Sequence, residues 1–201
     1  MPTPPRQRRE RELAQRRQLI IESARELAEA EGWSAVTTRR LADKIEYSQP
    51  VLYQHFAGMN AIIDAVAVEG FAELTSVLRS AAAGGMAAVA RAYLDFAEHQ
   101  PALYDAMFSL ASDLPFGAPE APTPLHAAFA ELRTAFAGAA DESDTEVLTE
   151  VAWSALHGLA TLTRAGRLRT AFRDQRLAQL LELLGTAGTR STVEAGKAAA
   201  T

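Results

Sequence analysis

Apolar residues recur at intervals of three and four along most of this chain, and runs of alternating β-branched residues are nearly missing. That pattern predicts an all-α protein, because a stripe at helical spacing buries one face of a helix and cannot line one face of a sheet. The length of 201 residues is enough for a sizeable core without metal or disulfide staples.

The first predicted helix runs from about Arg9 to Glu31, with Leu13, Ile20, Ala24, Leu27 and Ala28 on one stripe and Gly32 as a left-handed stop. Thr37 then caps a brief helix over Thr38 to Ile45, with Leu41, Ala42 and Ile45 inward and Arg39, Arg40 and Lys44 outward. After Glu46 and Tyr47, Ser48 is a good N-cap and Pro50 fits a first helical turn, so Val51, Leu52, Tyr53 and Phe56 form another short helix. Longer helices follow at about Met59 to Ala83, Met86 to Gln100, Pro101 to Leu110, Pro124 to Phe136, Thr145 to Ala165 and Phe172 to Leu184. The Pro- and Gly-rich stretch Ala111 to Thr123 and the acidic stretch Gly138 to Asp144 read as loops. Residues after Gly185 are small and polar without apolar periodicity, which predicts a disordered tail over 186–201.

Composition adds two constraints. No cysteine is present, so disulfides, thiolate metal sites and a cysteine nucleophile are excluded. The net charge of −5 argues on average against nucleic acid, but residues 1–56 hold ten basic against eight acidic side chains and residues 57–201 hold ten against seventeen. Within 1–17, Arg6, Arg8, Arg9, Arg11, Arg16 and Arg17 face only Glu10 and Glu12, a basic arm ahead of everything else. No apolar run reaches membrane-spanning length and no apolar signal region follows the N-terminal prolines, so a cytoplasmic location is expected, associated with the nucleoid when DNA is bound.

The short helices around residues 37–56 carry the chemistry. In a helix-turn-helix the second helix enters the major groove while flanking groups hold phosphates. Thr37, Thr38, Arg39, Tyr47, Ser48, Gln49, Tyr53, Gln54 and His55 supply hydroxyls, amides and cations within one compact unit, and Pro50 and Val51 suit thymine methyl groups. Nothing enzymatic competes: the four histidines form no His-x-x-x-His pair, and neither a Gly-rich phosphate loop nor a Gly-x-Ser-x-Gly elbow occurs. No catalytic residue, metal or cofactor is expected, and the chain reads as a non-enzyme.

The stretch from Ile21 to Trp33, then Thr37-Thr38-Arg39-Arg40-Leu41-Ala42, then Ser48-Gln49-Pro50-Val51-Leu52-Tyr53-Gln54-His55-Phe56, resembles the DNA-binding domain of the TetR family of transcriptional regulators. Trp153, His157 and Gly158 resemble the Trp-His-Gly type of C-terminal domain found in part of that family. The resemblance implies a homodimer on a palindromic double-stranded DNA operator, and a helical domain in which a small-molecule effector changes the spacing of the recognition helices. By position it implies Gln49, Pro50 and Tyr53 at the bases and Thr38, Tyr47 and His55 at the phosphates. It also implies a helix-turn-helix domain over 9–58 and a ligand-binding and dimerisation domain over 59–185.

Two positions depart from the family pattern: Glu46 stands where the turn usually has Gly, and Met59 where the next helix usually opens with Lys. They motivate an alternative, a helical ligand-binding or protein-interaction module without operator binding. The basic arm offers compensation by lying along or into the minor groove. Tyr93, Phe96, Tyr104, Phe108, His126, Phe129, Trp153 and His157 are the candidate effector residues, although an aromatic set at helical spacing also serves as plain core and His157 also reads as a hydrogen-bonded buried histidine. Ala152, Ala155, Gly158, Leu159 and Leu162 with Leu177, Leu180, Leu181 and Leu184 are the candidate dimer interface, against an intramolecular core; the resemblance favours the interface.

Overall fold

A computed structural model describes residues 5–110, 114, 115, 121–137 and 144–198, giving the backbone alone for 5 and 186–198. The loops expected over 111–123 and 138–144, and the last three residues of the tail, fall largely or wholly outside the described residues. Every regular element among the described residues is helical: α1 (Pro5–Glu31), α2 (Thr38–Lys44), α3 (Gln49–His55), α4 (Met59–Ala81), α5 (Gly85–His99), α6 (Pro101–Asp105), α7 (Thr123–Phe136), α8 (Thr145–Arg164) and α9 (Arg173–Ala198). Short 3₁₀ turns lie at Trp33–Ala35, Ala82–Gly84 and Thr170–Phe172, and a π turn at Ala106–Leu110 extends α6. No described helix is long and apolar enough to cross a membrane.

Two ends differ from expectation. The first helix begins at Pro5 rather than Arg9, because proline is tolerated in a first turn and the pairs Arg6–Glu10 and Arg8–Glu12, at 3.0 and 2.9 Å, favour helix without any apolar stripe. The tail expected to be disordered from residue 186 instead continues α9 to Ala198. Adding residues to a helix already nucleated costs far less than starting one, and Ala, Arg, Glu and Lys in this stretch propagate it.

The chain divides by compactness into residues 1–70 with 100–122, and residues 71–99 with 123–201. In the first unit, Ile20, Ala24 and Leu27 of α1 bury against Leu41 and Ala42 of α2 and Leu52 of α3, with Phe56 closing the same core. α6 docks on α1 through polar clamps. Glu29 accepts from the Ala102 and Leu103 amides at 3.3 and 3.1 Å, the Trp33 indole donates to the Ala102 carbonyl at 2.7 Å, and Arg25 donates to Gln100 at 2.6 Å. Gly70 of α4 meets Leu103 and Met107 so closely that a Cβ there would sit 2.7 Å from the Met107 sulfur.

The second unit packs α5 against α7, α8 and α9. Val89, Tyr93 and Phe96 of α5, Leu132 and Phe136 of α7, Leu156 of α8 and Leu177 of α9 are buried in it. Arg173 at the start of α9 pairs with Asp95 and Glu98 of α5, and Arg91 with Asp174 at 2.6 Å.

Candidate nucleic-acid interface

Thr37 opens α2 by accepting the Arg40 amide on its hydroxyl oxygen at 3.2 Å. The helix ends in a Schellman turn: the Tyr47 amide donates to the Ala42 carbonyl at 2.9 Å and the Glu46 amide to Asp43 at 3.4 Å. Such a turn needs a left-handed residue, and Glu46 occupies it with φ 58°, the one positive-φ residue other than glycine among those described. A left-handed side-chain-bearing residue costs about 1–2 kcal/mol. Glu46→Gly is therefore expected to raise stability by about 0.5–1 kcal/mol after the larger entropy of the unfolded glycine is counted. It should also tighten DNA binding by removing a carboxylate. Denaturant unfolding and a DNA titration check both effects, and a lower unfolding midpoint would show the turn to be unstrained.

Ser48 then starts α3 with extended backbone, and Pro50 stands in the first turn where its missing amide hydrogen costs nothing. Along α3 the residues sort by face. Leu52 is buried, whereas Gln49, Pro50, Tyr53 and Gln54 are exposed, Tyr53 by 54%. Tyr47, Ser48, Thr37 and Arg39 are exposed beside them, and Thr38 is half-buried. The cations of α2 also divide. Arg40 grips Glu31 of α1 with two contacts of 2.7 and 2.9 Å, which holds the Glu31 carboxyl below its usual range, and Lys44 pairs with Glu26 at 3.2 Å. Arg39 makes no ion pair among the described residues and remains the available cation of α2.

His55 departs from its expected place. It is half-buried, and its Nε2 is closed off from solvent without a hydrogen-bond partner among the described residues, so this nitrogen is not offered to a phosphate. Its carbonyl is engaged by α1: Arg17 donates to it at 3.3 Å and lies 4.2 Å from the Phe56 ring centre, while Arg16 approaches the Tyr47 ring at 6.0 Å. Arg17 thus ties the basic part of α1 to the end of α3, and Arg16 lies against the turn before it.

The candidate effector residues are divided between the two units. Tyr104 and Phe108, with ring centres 4.6 Å apart, belong to the first unit. In the second unit Trp153 donates to the Tyr93 hydroxyl at 3.1 Å and meets Phe129 edge-on at 6.4 Å, and Phe96 is buried. His126 is exposed. His157 lies 3.4 Å from the Thr161 hydroxyl, and burial, helped by Arg164, pushes its pKa down. A cavity of about 210 Å³ lies elsewhere in this unit, between α5, α8 and the start of α9. Leu94, Ala97 and Leu159 line it with Arg164, Arg173 and Arg176. None of the aromatic candidates lines it. Its signal in the sequence is the density of arginine at positions 164, 167, 169, 173 and 176.

The candidate interface residues divide as well. Ala152, Leu177 and Leu184 are buried inside the protomer, because a stripe at helical spacing turns one edge toward the helix's own neighbours. Leu162 is 46% exposed, and Ala155, Gly158, Leu159, Leu180 and Leu181 are half-buried. Val147, Val151 and Leu183, outside the expected interface set, are more exposed still, and a Cβ at Gly158 would meet nothing within 4 Å among the described residues.

Residues 20–66 match the family described as bacterial regulatory proteins, tetR family, and residues 86–185 match the tetracyclin repressor-like C-terminal domain, so the two matches cover most of the chain. The HTH-type transcriptional regulator YobS of Bacillus subtilis (strain 168) is 34% identical over 93 residues, 44% of this chain and 49% of that protein, so this likeness spans about half the relative's length. The HTH-type transcriptional regulator Rv0681 of Mycobacterium tuberculosis is 25% identical over 190 residues, 90% of this chain and 85% of that protein. Among solved structures, a protein of unknown function from Rhodococcus sp. RHA1 superposes with a TM-score of 0.67 at 26% identity, covering 85% of this chain and 94% of that one.

Proposed function

The chain belongs to the TetR family, as a helix-turn-helix transcriptional regulator and not an enzyme, and from that premise we propose that it is a repressor that binds a palindromic operator as a homodimer and is released by a small, largely apolar effector. The observation that carries the operator reading is the sorting of α3: Gln49, Pro50, Tyr53 and Gln54 stand exposed on a helix whose Leu52 is buried against α1 and α2. A helix about 10–12 Å across fits a major groove about 12 Å wide. Gln49, Pro50 and Tyr53 read bases in this account, with Thr37, Thr38, Arg39, Tyr47, Ser48 and Gln54 around them at the backbone.

On this proposal the helix-turn-helix domain spans 9–58 and the ligand-binding and dimerisation domain 59–185. Trp153, His157 and Gly158 on α8 carry the Trp-His-Gly pattern of the second domain. Dimerisation is supported by the exposed apolar stripe Val147, Val151 and Leu162, with the small Ala155 and Gly158 between them. Effector action is supported by the placement of Tyr104 and Phe108 in the same compact unit as α3. A ligand that prefers the arrangement unable to bind DNA shifts the population away from the operator, typically by a coupling of about 1–3 kcal/mol. The reading places the protein in the cytoplasm, at the nucleoid when bound.

The test is binding of the full chain to DNA flanking its coding region, compared with Gln49→Ala. Wild type should bind selectively and with strong salt dependence, and Gln49→Ala should lose about 1–3 kcal/mol of discrimination between the operator and a base-substituted copy. Equal loss on every sequence would make Gln49 a backbone contact. Absence of sequence-selective binding by wild type would overturn the reading.

A further inference from the structure

The first fourteen described side chains of α1, residues 6–19, are all exposed, and burial begins only at Ile20. α1 is 27 residues long, about 40 Å, so a large part of it extends beyond the packed core. The residues there are not a random charge run. Arg6, Arg9, Leu13, Arg17, Ile20, Ala24 and Leu27 follow one another at helical spacing, so the face that buries the core continues outward as an arginine face. Its inner end meets the two ends of the recognition helix, Arg17 on the His55 carbonyl and the Phe56 ring at its C-terminus and Arg16 beside Tyr47 in the turn that precedes it. Further out, Arg9 and Arg11 make no ion pair among the described residues. The pairs Arg6–Glu10 and Arg8–Glu12 keep the segment helical.

We propose that residues 6–17 form a rigid helical clamp that lies along the DNA phosphates flanking the sequence read by α3. This rests on the operator reading above. The width of the segment decides where it goes. A helix with side chains is about 10–12 Å across and the minor groove about 6 Å wide, so a helical arm does not enter that groove as an extended basic arm does. The phosphate backbone remains, and it carries the complementary charge. Arg6 and Arg17 lie about 16 Å apart along the helix, the span of roughly five base-pair steps.

The experiment is a salt titration of the full chain on two duplexes, one carrying only the bound palindrome and one extended by about eight base pairs on each side. Arg9→Gln, which leaves the Arg6–Glu10 and Arg8–Glu12 pairs intact, should bind the trimmed duplex as wild type does. On the extended duplex it should show a salt slope smaller by about 0.9 per protomer, so that its affinity falls about 3.5-fold less per protomer than wild type's across a fourfold rise in salt. Operator preference should be unchanged. A slope equal to wild type's on the extended duplex overturns the clamp. A second variant, Ala14→Pro, keeps every arginine and breaks the helix. It should lose the advantage of the extended duplex, and full retention of that advantage would overturn the rigid clamp in favour of a flexible arm. A wild-type chain that binds neither duplex overturns the operator reading and the clamp with it, an outcome distinct from both others.

Discussion

Leu52→Ala is expected to lower the unfolding free energy by about 2–5 kcal/mol and to abolish operator binding with it. Leu52 is 1% exposed and belongs to the core that α3 shares with α1 and α2, so its truncation removes transfer energy and leaves a cavity. Small domains hold only about 5–15 kcal/mol in total, and α3 has seven residues, too few to stand without this anchor. The neighbouring Tyr53→Ala should weaken DNA binding without that loss of stability, leaving the unfolding midpoint nearly unchanged because Tyr53 is 54% exposed. Denaturant unfolding followed by circular dichroism, beside a DNA titration of each variant, separates the two. A loss below about 1 kcal/mol for Leu52→Ala would mean that the α3 face is assigned wrongly.

The second large effect is expected at Gly70. In most helix interiors, replacing glycine stabilises by up to about 1 kcal/mol. Here a Cβ would lie 2.7 Å from the Met107 sulfur and 2.9 Å from both Leu103 Cδ1 and Met107 Cγ, so α4 and the α6–π segment are packed against the bare backbone. Gly70→Val should therefore destabilise by about 1–3 kcal/mol, since these contacts must be forced apart. Met107→Ala costs stability alone but should recover part of the loss when combined with Gly70→Val, a coupling that a double-mutant cycle of thermal or denaturant unfolding measures. Strict additivity of the two substitutions would contradict the close approach.

Much of the DNA-binding region is legible from local chemistry. Gly32 stops α1 with φ 83°, Thr37 caps α2 and Pro50 sits in the first turn of α3, whereas the sequence leaves open whether the turn at Glu46 is unstrained or left-handed, and it is left-handed. What stays hidden is long-range. The clamps that hold α6 on α1, Glu29 with Ala102 and Leu103 and Trp33 with Ala102, join residues some seventy positions apart, which periodicity cannot see. Periodicity also misses the start of α1, because Arg6–Glu10 and Arg8–Glu12 extend the helix by charge and not by an apolar stripe. The leucines and alanines of α8 and α9 are ambiguous for a related reason. An apolar stripe is wide enough to serve a core and a partner at once, so Ala152 and Leu177 turn inward while Leu162 on the same run stays exposed. The arginine-walled cavity brings Arg164 of α8 together with Arg173 and Arg176 of α9, and the sequence does not show that these three line it while the neighbouring Arg167 and Arg169 do not.

The central claim is that the exposed face of α3 reads a palindromic DNA sequence, and selection of bound duplexes from a random pool by the full chain tests it most directly. The account predicts enrichment of an inverted repeat whose half-sites are centred about one helical turn, or a multiple of it, apart, and loss of that enrichment in Tyr53→Ala. A pool that emerges without any common sequence, or with the same sequence for Tyr53→Ala as for wild type, would contradict it.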